Sequence, residues 1–362
     1  MPEFDTIKKV FEEIKFKLNS TTKKKKIVTV YSFNGIGKTR LSNQFNEINN
    51  DRRIRYHRTL CYNAFLEDLF GWDNEEHVFY FDSGSLEAKL IKDEGLRDKI
   101  IDNFKDILNT KIEPSFNPDM TGVTFSIPSD ENAANIKISR GEESAFIWVV
   151  FHTILQTAID MLNEKEKDRS TPTFNKLKFI VIDDPVSSMD DTSIVTTAIK
   201  LVETIESYKD DKLKFLIMTH HPLFYNIFVN SFKDKKTYNS KGFILSKKDN
   251  RLELESQDDS PFGYHLIVKE EIEKAITTND VKRYHFNLFR SLLEKTANFL
   301  GYTKWYHCVP KKNREEINRL INLYSHGKLS EMESKDVPDE HKVLFKETFN
   351  TFTKDFKWKV AE

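Results

Sequence analysis

The chain has 362 residues, a formal net charge of -1, and 31% charged against 38% hydrophobic residues. That length accommodates two or three domains with a real core. The charge balance excludes a globally basic nucleic-acid binder but leaves a local basic surface open. Cys61 and Cys308 make neither a disulfide framework nor a metal cluster and suit a reducing cytosol. No apolar run approaches membrane-spanning length, and the N-terminus shows no signal-peptide core, so a cytoplasmic protein without a membrane partner is expected. The 29 phenylalanines read as core filling.

In chain order, apolar residues at Phe4, Ile7, Val10, Phe11, Ile14 and Leu18 predict a helix from Phe4 to Leu18. The lysines at 23–26 read as a solvated connector to a β-type run, Ile27–Tyr31. Then comes Ser32-Phe-Asn-Gly-Ile-Gly-Lys-Thr39, leading into an amphipathic segment. Strand, glycine turn and helix are the context of a phosphate-binding loop. Asn34, Gly35 and Gly37 expose backbone N–H groups to an anion, Lys38 reaches the β- and γ-phosphates, and the Thr39 hydroxyl is a Mg²⁺ ligand. Ser32 stands where the first glycine of this pattern normally is.

An arginine cluster at 51–58 reads equally as an exposed rim or as a contact for a base or RNA. His77–Asp82 predicts a strand, residues 86–108 are mostly helical, and Pro114, Pro118, Gly122 and Pro128 punctuate a β-rich stretch ending at Ile138. Ser139 with Glu142 forms a capping box opening an apolar helix that runs to Leu162. Phe179-Ile-Val-Ile-Asp183-Asp184 predicts a strand buried on both faces, with two carboxylates at its ligand-binding end. Asp183 is placed to hold Mg²⁺ and Asp184 to orient or deprotonate a water. A second buried strand ends at Thr219-His220, where His220 is a candidate γ-phosphate sensor.

Taken together, these stretches resemble the motifs of ATP-binding-cassette (ABC) ATPases. Ser32–Thr39 looks like Walker A, Ile138-Ser-Arg-Gly-Glu142 like the signature, Ile180–Asp184 like Walker B, Ser187–Asp190 like the D-loop, and Thr219-His220 like the switch loop. Arg140 replaces a signature glycine and Asp184 replaces the usual catalytic Glu, which implies slow or activated hydrolysis. No glutamine is assigned to a Q-loop. The resemblance implies head-to-tail dimers in which Ser139, Gly141 and Asp190 complete a nucleotide site built on the partner's Lys38.

Beyond a turn-rich boundary at Asp258–Gly263 the pattern is helical throughout. A helix over roughly Asp280–Leu300 is predicted to bury Val281, Tyr284, Leu288, Leu292 and Leu293. A second, Arg314 to about Ser325, ends at His326-Gly327. Read alone, Arg290 and Glu294 are a surface ion pair and His326 a helix-end histidine. Tyr62–Phe70 and Asp183–Asp190 resemble the PrrC-type bacterial anticodon nucleases, relatives of RloC. That family carries an Arg-x-x-x-Glu…His ribonuclease triad, matched here by Arg290, Glu294 and His326.

The resemblance implies an α/β ABC-type P-loop ATPase domain (1–262) followed by an all-α, HEPN-like nuclease domain (263–362). It implies ATP or GTP, with dTTP a further family candidate, and Mg²⁺ as cofactors. It implies the tRNA anticodon loop as substrate, a homodimer or higher oligomer, and a silencing partner such as a restriction-modification complex in antiphage defence. The alternative is a non-nucleolytic ABC sensor ATPase serving a separate effector.

Overall fold

The computed structural model describes residues 3–49, 58–63, 70–82, 84–128, 135–187, 189–248, 251–257, 264–325 and 337–356. The chain divides into two compact units, Met1–Pro261 and Phe262–Glu362. The predicted boundary stretch at 258–263, the rim arginines at 51–57, and residues 64–69 of the Tyr62–Phe70 motif lie outside the described residues.

A seven-stranded sheet forms the centre of the first unit. Its strands are β1 (Glu3–Phe4), β2 (Lys25–Tyr31), β3 (Thr59–Tyr62), β8 (Phe179–Asp183), β9 (Lys214–Thr219), β10 (Tyr238–Lys248) and β11 (Arg251–Ser256). The spatial order is β1-β11-β10-β2-β9-β8-β3. The pairs β10–β2, β2–β9, β9–β8 and β8–β3 are parallel, while β11 pairs antiparallel with both β10 and β1. Parallel strands need both faces covered, and alternation along each strand provides that. Ile27, Ile180, Ile182, Phe215 and Ile217 join one core with helices α5 (Arg140–Asn163), α6 (Asp191–Ser207) and α7 (Pro222–Lys233). Val28, Val30, Val181, Leu216 and Met218 join the other, under α1 (Ile7–Leu18) and α2 (Lys38–Asn49). Each such side chain contributes about 1.5–3 kcal/mol when fully buried.

Phe4 is not the start of the first helix. It pairs with Leu252 in β1, and Thr6 caps α1 by accepting from the Lys9 backbone. The stretch 86–108 is two helices, α3 (Leu86–Asp93) and α4 (Arg97–Leu108), separated at Gly95, whose φ is 64°.

A smaller antiparallel sheet runs β4-β5-β7-β6, from strands Phe70–Asp73, Val78–Phe81, Gly122–Ser126 and Glu113–Phe116 in that order. Its Phe125 meets Phe146 of α5 at 5.3 Å between ring centroids, and Phe104 of α4 meets the same ring at 5.6 Å. The Ile136 N–H donates to the Phe125 carbonyl, so this sheet holds the segment that enters α5.

Helix α5 is long and apolar enough to cross a membrane, contrary to the expectation from the sequence. However, 78% of its apolar window is buried inside the protein. It is the core helix of the first unit.

The described part of the second unit contains α8 (Tyr264–Thr277), α9 (Arg283–Leu300), α10 (Arg314–Ser325) and α11 (Asp339–Asp355). Helix α9 buries His285, Phe286, Phe289, Leu292, Leu293 and Ala297. Phe289 packs against Phe345 and Phe349 of α11 at 5.5 and 5.3 Å. Val281, Leu292 and Leu293 are buried as predicted, whereas Leu288 is half-buried and Tyr284 is 43% exposed. Tyr284 instead donates its hydroxyl to Glu271.

Candidate functional site

The phosphate loop leaves β2 where the Ser32 N–H donates to the Thr219 carbonyl at 3.0 Å, extending the β2–β9 pairing by one rung. Ser32 is fully buried in this rung. Gly35 and Gly37 take φ values of 83° and 118°. A Cβ on Gly37 would lie 3.3 Å from the Ile7 side chain, so both conformation and space favour glycine there.

Lys38 is 6% exposed and curls back over its own loop. Its ammonium donates to the Ser32 carbonyl at 3.0 Å and to Asn34 Oδ1 at 3.1 Å, and lies 3.3 Å from Asp184 Oδ2. The Thr39 hydroxyl donates to Asp183 Oδ2 at 2.7 Å. Asp184 Oδ1 accepts from the Thr219 hydroxyl and the His220 backbone N–H, while His220 Nδ1 lies 2.7 Å from Oδ2. Thus Asn34, Lys38, Thr39, Asp183, Asp184 and His220, drawn from three strand ends and one helix start, converge at the carboxyl edge of the parallel sheet. Helix α2 starts here and turns its N-terminal end, with its favourable dipole, to the same place.

The two adjacent carboxylates are driven apart. Burial pushes Asp183 up to about 6, with the charge of Asp184 adding to the effect, against the Thr39 hydrogen bond and the Lys38 charge. Burial acts on Asp184 in the same direction, yet the hydrogen bond and charge of His220, with Lys38, outweigh it and hold that carboxyl below its ordinary value. Asp183 Oδ1 is buried without a hydrogen-bond partner. An unpaired carboxylate oxygen beside a hydroxyl suits a hard divalent cation that takes its remaining ligands from phosphate and water. Among the described residues no group of three or more His, Cys, Asp or Glu side chains forms an all-protein metal site.

Other sequence candidates lie apart. Ser139 caps α5, its N–H donating to Glu142 Oε2 and its hydroxyl accepting from the Glu142 N–H. No described contact joins Ser139 or Gly141 to Lys38. Asp190 is the cap of α6, accepting from the Thr192 and Ser193 N–H groups. Asn63 belongs to the Tyr62–Phe70 stretch, but its partners carried no sequence signal. It follows β3 and donates to Ser42 and Asn43 of α2, fastening a neighbouring strand end to the phosphate-loop helix.

In the second unit, Arg290 Nε donates to Glu294 Oε1 at 2.8 Å, with both side chains partly exposed. The guanidinium also donates to Asn322 Oδ1 of α10 at 3.5 Å and lies 5.9 Å from the Trp305 ring centroid. Neither Asn322 nor Trp305 carried a sequence signal, because both are distant in the chain. His326 lies outside the described residues, one position beyond the end of α10.

A family profile described as an AAA domain matches residues 82–356. A protein of Escherichia coli named "Anticodon nuclease" is 40% identical over 355 residues, covering 91% of this chain and 88% of that protein. Solved structures give looser likenesses. An SMC head bound to the C-terminal winged-helix domain of ScpA is 14% identical over 63% of this chain and 55% of that one, with a TM-score of 0.31. The SMC head domain of Thermotoga maritima is 10% identical over 64% and 90%, also with a TM-score of 0.31. The likeness to that relative covers nine-tenths of this chain, and the chain belongs to the anticodon nuclease family, with an AAA-type ATPase domain.

Proposed function

We propose that this chain is a nucleotide-regulated endoribonuclease that cuts tRNA in the anticodon loop, working as a cytoplasmic antiphage effector. The observation that carries the proposal is a partly exposed guanidinium, Arg290, beside a carboxylate one helical turn away, in a chain 40% identical to a protein named for that activity. The guanidinium fork of Arg290 grips two phosphate oxygens, so it stabilises charge on the phosphorane. Glu294 and His326 supply base and acid, in either order. The RNA's own 2′-hydroxyl attacks the neighbouring phosphorus, the 5′-oxygen leaves with a proton, and a 2′,3′-cyclic phosphate and a 5′-hydroxyl result. No metal is needed for that step.

At the phosphate-loop edge, Thr39 and Asp183 would hold Mg²⁺ alongside ATP, GTP or dTTP. The cation neutralises phosphate charge when bound. Lys38 would hold the phosphates in place of the loop carbonyls and Asp184, leaving that carboxylate to orient a water, and His220 would face the terminal phosphate. Ser139, Gly141 and Asp190 serve the nucleotide of a partner copy in a head-to-tail dimer, which agrees with their lack of contact to Lys38 within one chain. A silencing partner holds the nuclease in check.

Incubation of purified protein with total tRNA and nucleotide should give one cut, in an anticodon loop, with a 5′-hydroxyl end. Once activation is complete, cleavage should continue in EDTA. Alanine at Arg290, Glu294 or His326 should abolish it and leave nucleotide binding intact. A 5′-phosphate product, or a Mg²⁺ requirement in the cutting step, overturns the chemistry. Absence of any tRNA cleavage under nucleotide favours the sensor-ATPase alternative.

A further inference from the structure

The connection between α9 and α10 is short but aromatic and basic, containing Tyr302, Lys304, Trp305, Tyr306, His307, Lys311 and Lys312. A connector needs only turn formers, so this composition calls for a reason. Core filling accounts for two of its residues. Cys308 and Val309 are buried and anchor the first of two 3-10 turns, Trp305–Cys308, to the unit. The rings around them stay out of the core. Tyr302 is 44% exposed, His307 is exposed, and Trp305 and Tyr306 are half-buried.

The rings meet one another edge to face. Trp305 meets Tyr306 edge-on at 5.8 Å, Tyr306 meets His307 edge-on at 5.1 Å, and Tyr302 meets His307 edge-on at 6.3 Å. In each edge-to-face pair the edge of one ring covers a single face of the other, and the opposite face of that ring takes no part in the contact. The Lys304 ammonium sits 5.6 Å from the Tyr306 centroid, and the Arg290 guanidinium 5.9 Å from that of Trp305. Exposed aromatic rings interleaved with cations recognise unpaired nucleotides, the rings stacking on bases and the cations following the phosphates.

We propose that Trp305 and Tyr302 are positioning residues that stack on unpaired bases of the RNA loop, seating the strand so that its scissile phosphate meets Arg290. This rests on the nuclease reading for the identity of the scissile phosphate, but not for the stacking itself. Trp305 has a second task, because its ring holds the Arg290 guanidinium from one side while Glu294 holds it from another. Lys304, Lys311 and Lys312 contribute sequence-independent attraction.

The test uses the full-length protein and two fluorescein-labelled RNA hairpins, 2′-O-methylated so that they cannot be cut. One has an all-uridine loop and the other the same loop without bases. Stacking of one base is worth about 1–3 kcal/mol, so the protein should bind the uridine hairpin about 5- to 150-fold more tightly. Trp305→Leu, which keeps apolar bulk, and Tyr302→Ser, at an exposed site, should each shrink that ratio, and together bring it near one. Lys311→Ala with Lys312→Ala should weaken both hairpins equally. Equal binding of the two hairpins by the unaltered protein, or an unchanged ratio in the double variant, overturns the proposal. So does a change in oligomeric mass without a change in the ratio, which would make the surface a protein contact. If Arg290→Ala still cuts tRNA while the ratio depends on Trp305, the catalytic reading fails and the stacking surface stands.

Discussion

Asp184→Asn should separate nucleotide binding from turnover, and its cost to the resting protein follows from four contacts. Oδ1 accepts from two neutral donors, the Thr219 hydroxyl and the His220 N–H, and an amide oxygen can keep both. Oδ2 faces Lys38 at 3.3 Å and His220 Nδ1 at 2.7 Å, and an amide nitrogen there can accept from neither. Charge-assisted hydrogen bonds are worth about 1.5–3 kcal/mol each. Lys38 retains the Ser32 carbonyl and Asn34 Oδ1, which softens the loss of a buried partner. The net cost should be about 2–3 kcal/mol, or about 5–10 °C in Tm for a unit of this size. Phosphates replace the lost counter-charge, so saturating nucleotide should recover much of the shift. Turnover should fall by about 100-fold or more, as removal of a general base requires. Thermal melts with and without nucleotide, paired with phosphate release, read both quantities. Turnover within about threefold of the unaltered protein would move the base elsewhere. An unchanged melt would refute the Lys38–Asp184 contact.

Asp183 and His152 should give opposing pH dependences of stability in metal-free protein. Asp183 holds its proton to about 6 when folded against 3.8 as a free group, so its contribution is present below pH 3.8 and lost as pH rises through 6. His152, buried against the Thr204 hydroxyl, falls to about 4 from 6.5, chiefly by burial, so its contribution is present above pH 6.5 and lost as pH falls towards 4. Each slope amounts to about 3 kcal/mol over its window. Urea unfolding from pH 4 to 7 should therefore be nearly flat for this pair, Asp183→Asn should unmask a stability that rises with pH, and His152→Gln one that falls; parallel profiles would refute both assignments. Gly37→Ala should weaken nucleotide binding by about tenfold or more, since φ of 118° and the Ile7 side chain both oppose a Cβ. Unchanged affinity by equilibrium binding would show that the loop adapts.

The convergence of Lys38, Thr39, Asp183, Asp184 and His220 at one sheet edge was legible because it follows from local spacing. A glycine turn between strand and helix, and carboxylates at the end of an apolar run, are local patterns, and the parallel sheet then brings them together without further instruction. What the sequence concealed depended on distance or on choice of face. Phe4 fits the helical spacing of α1, yet the free edge of β11 captures it. Tyr284 fits a helical stripe too, but Phe286 and Phe289 have more apolar area to bury against α11, and they set the rotation of α9. Arg290 and Glu294 were visible as an i,i+4 pair, which on any helix is unremarkable. What distinguishes them is Asn322 and Trp305, contributed by other elements and invisible to any local pattern.

The same geometry favours an aspartate over a glutamate at position 184. Asp184 has φ of 59°, in the left-handed region. Asp and Asn enter that region readily because a short polar side chain bonds locally, whereas a longer side chain pays about 1–2 kcal/mol. The turn is fixed from both sides, by the Asp184 N–H to the Met218 carbonyl at 2.9 Å and by the carboxylate to Thr219 and His220. A glutamate would carry its carboxylate one methylene further, past the Thr219 hydroxyl and the His220 N–H, and would lose the bonds that hold the backbone in this conformation. The shorter residue therefore suits this turn. On this argument Asp184→Glu should cost stability in the resting protein even if it speeds hydrolysis, and the backbone at 184 should be what resists the exchange.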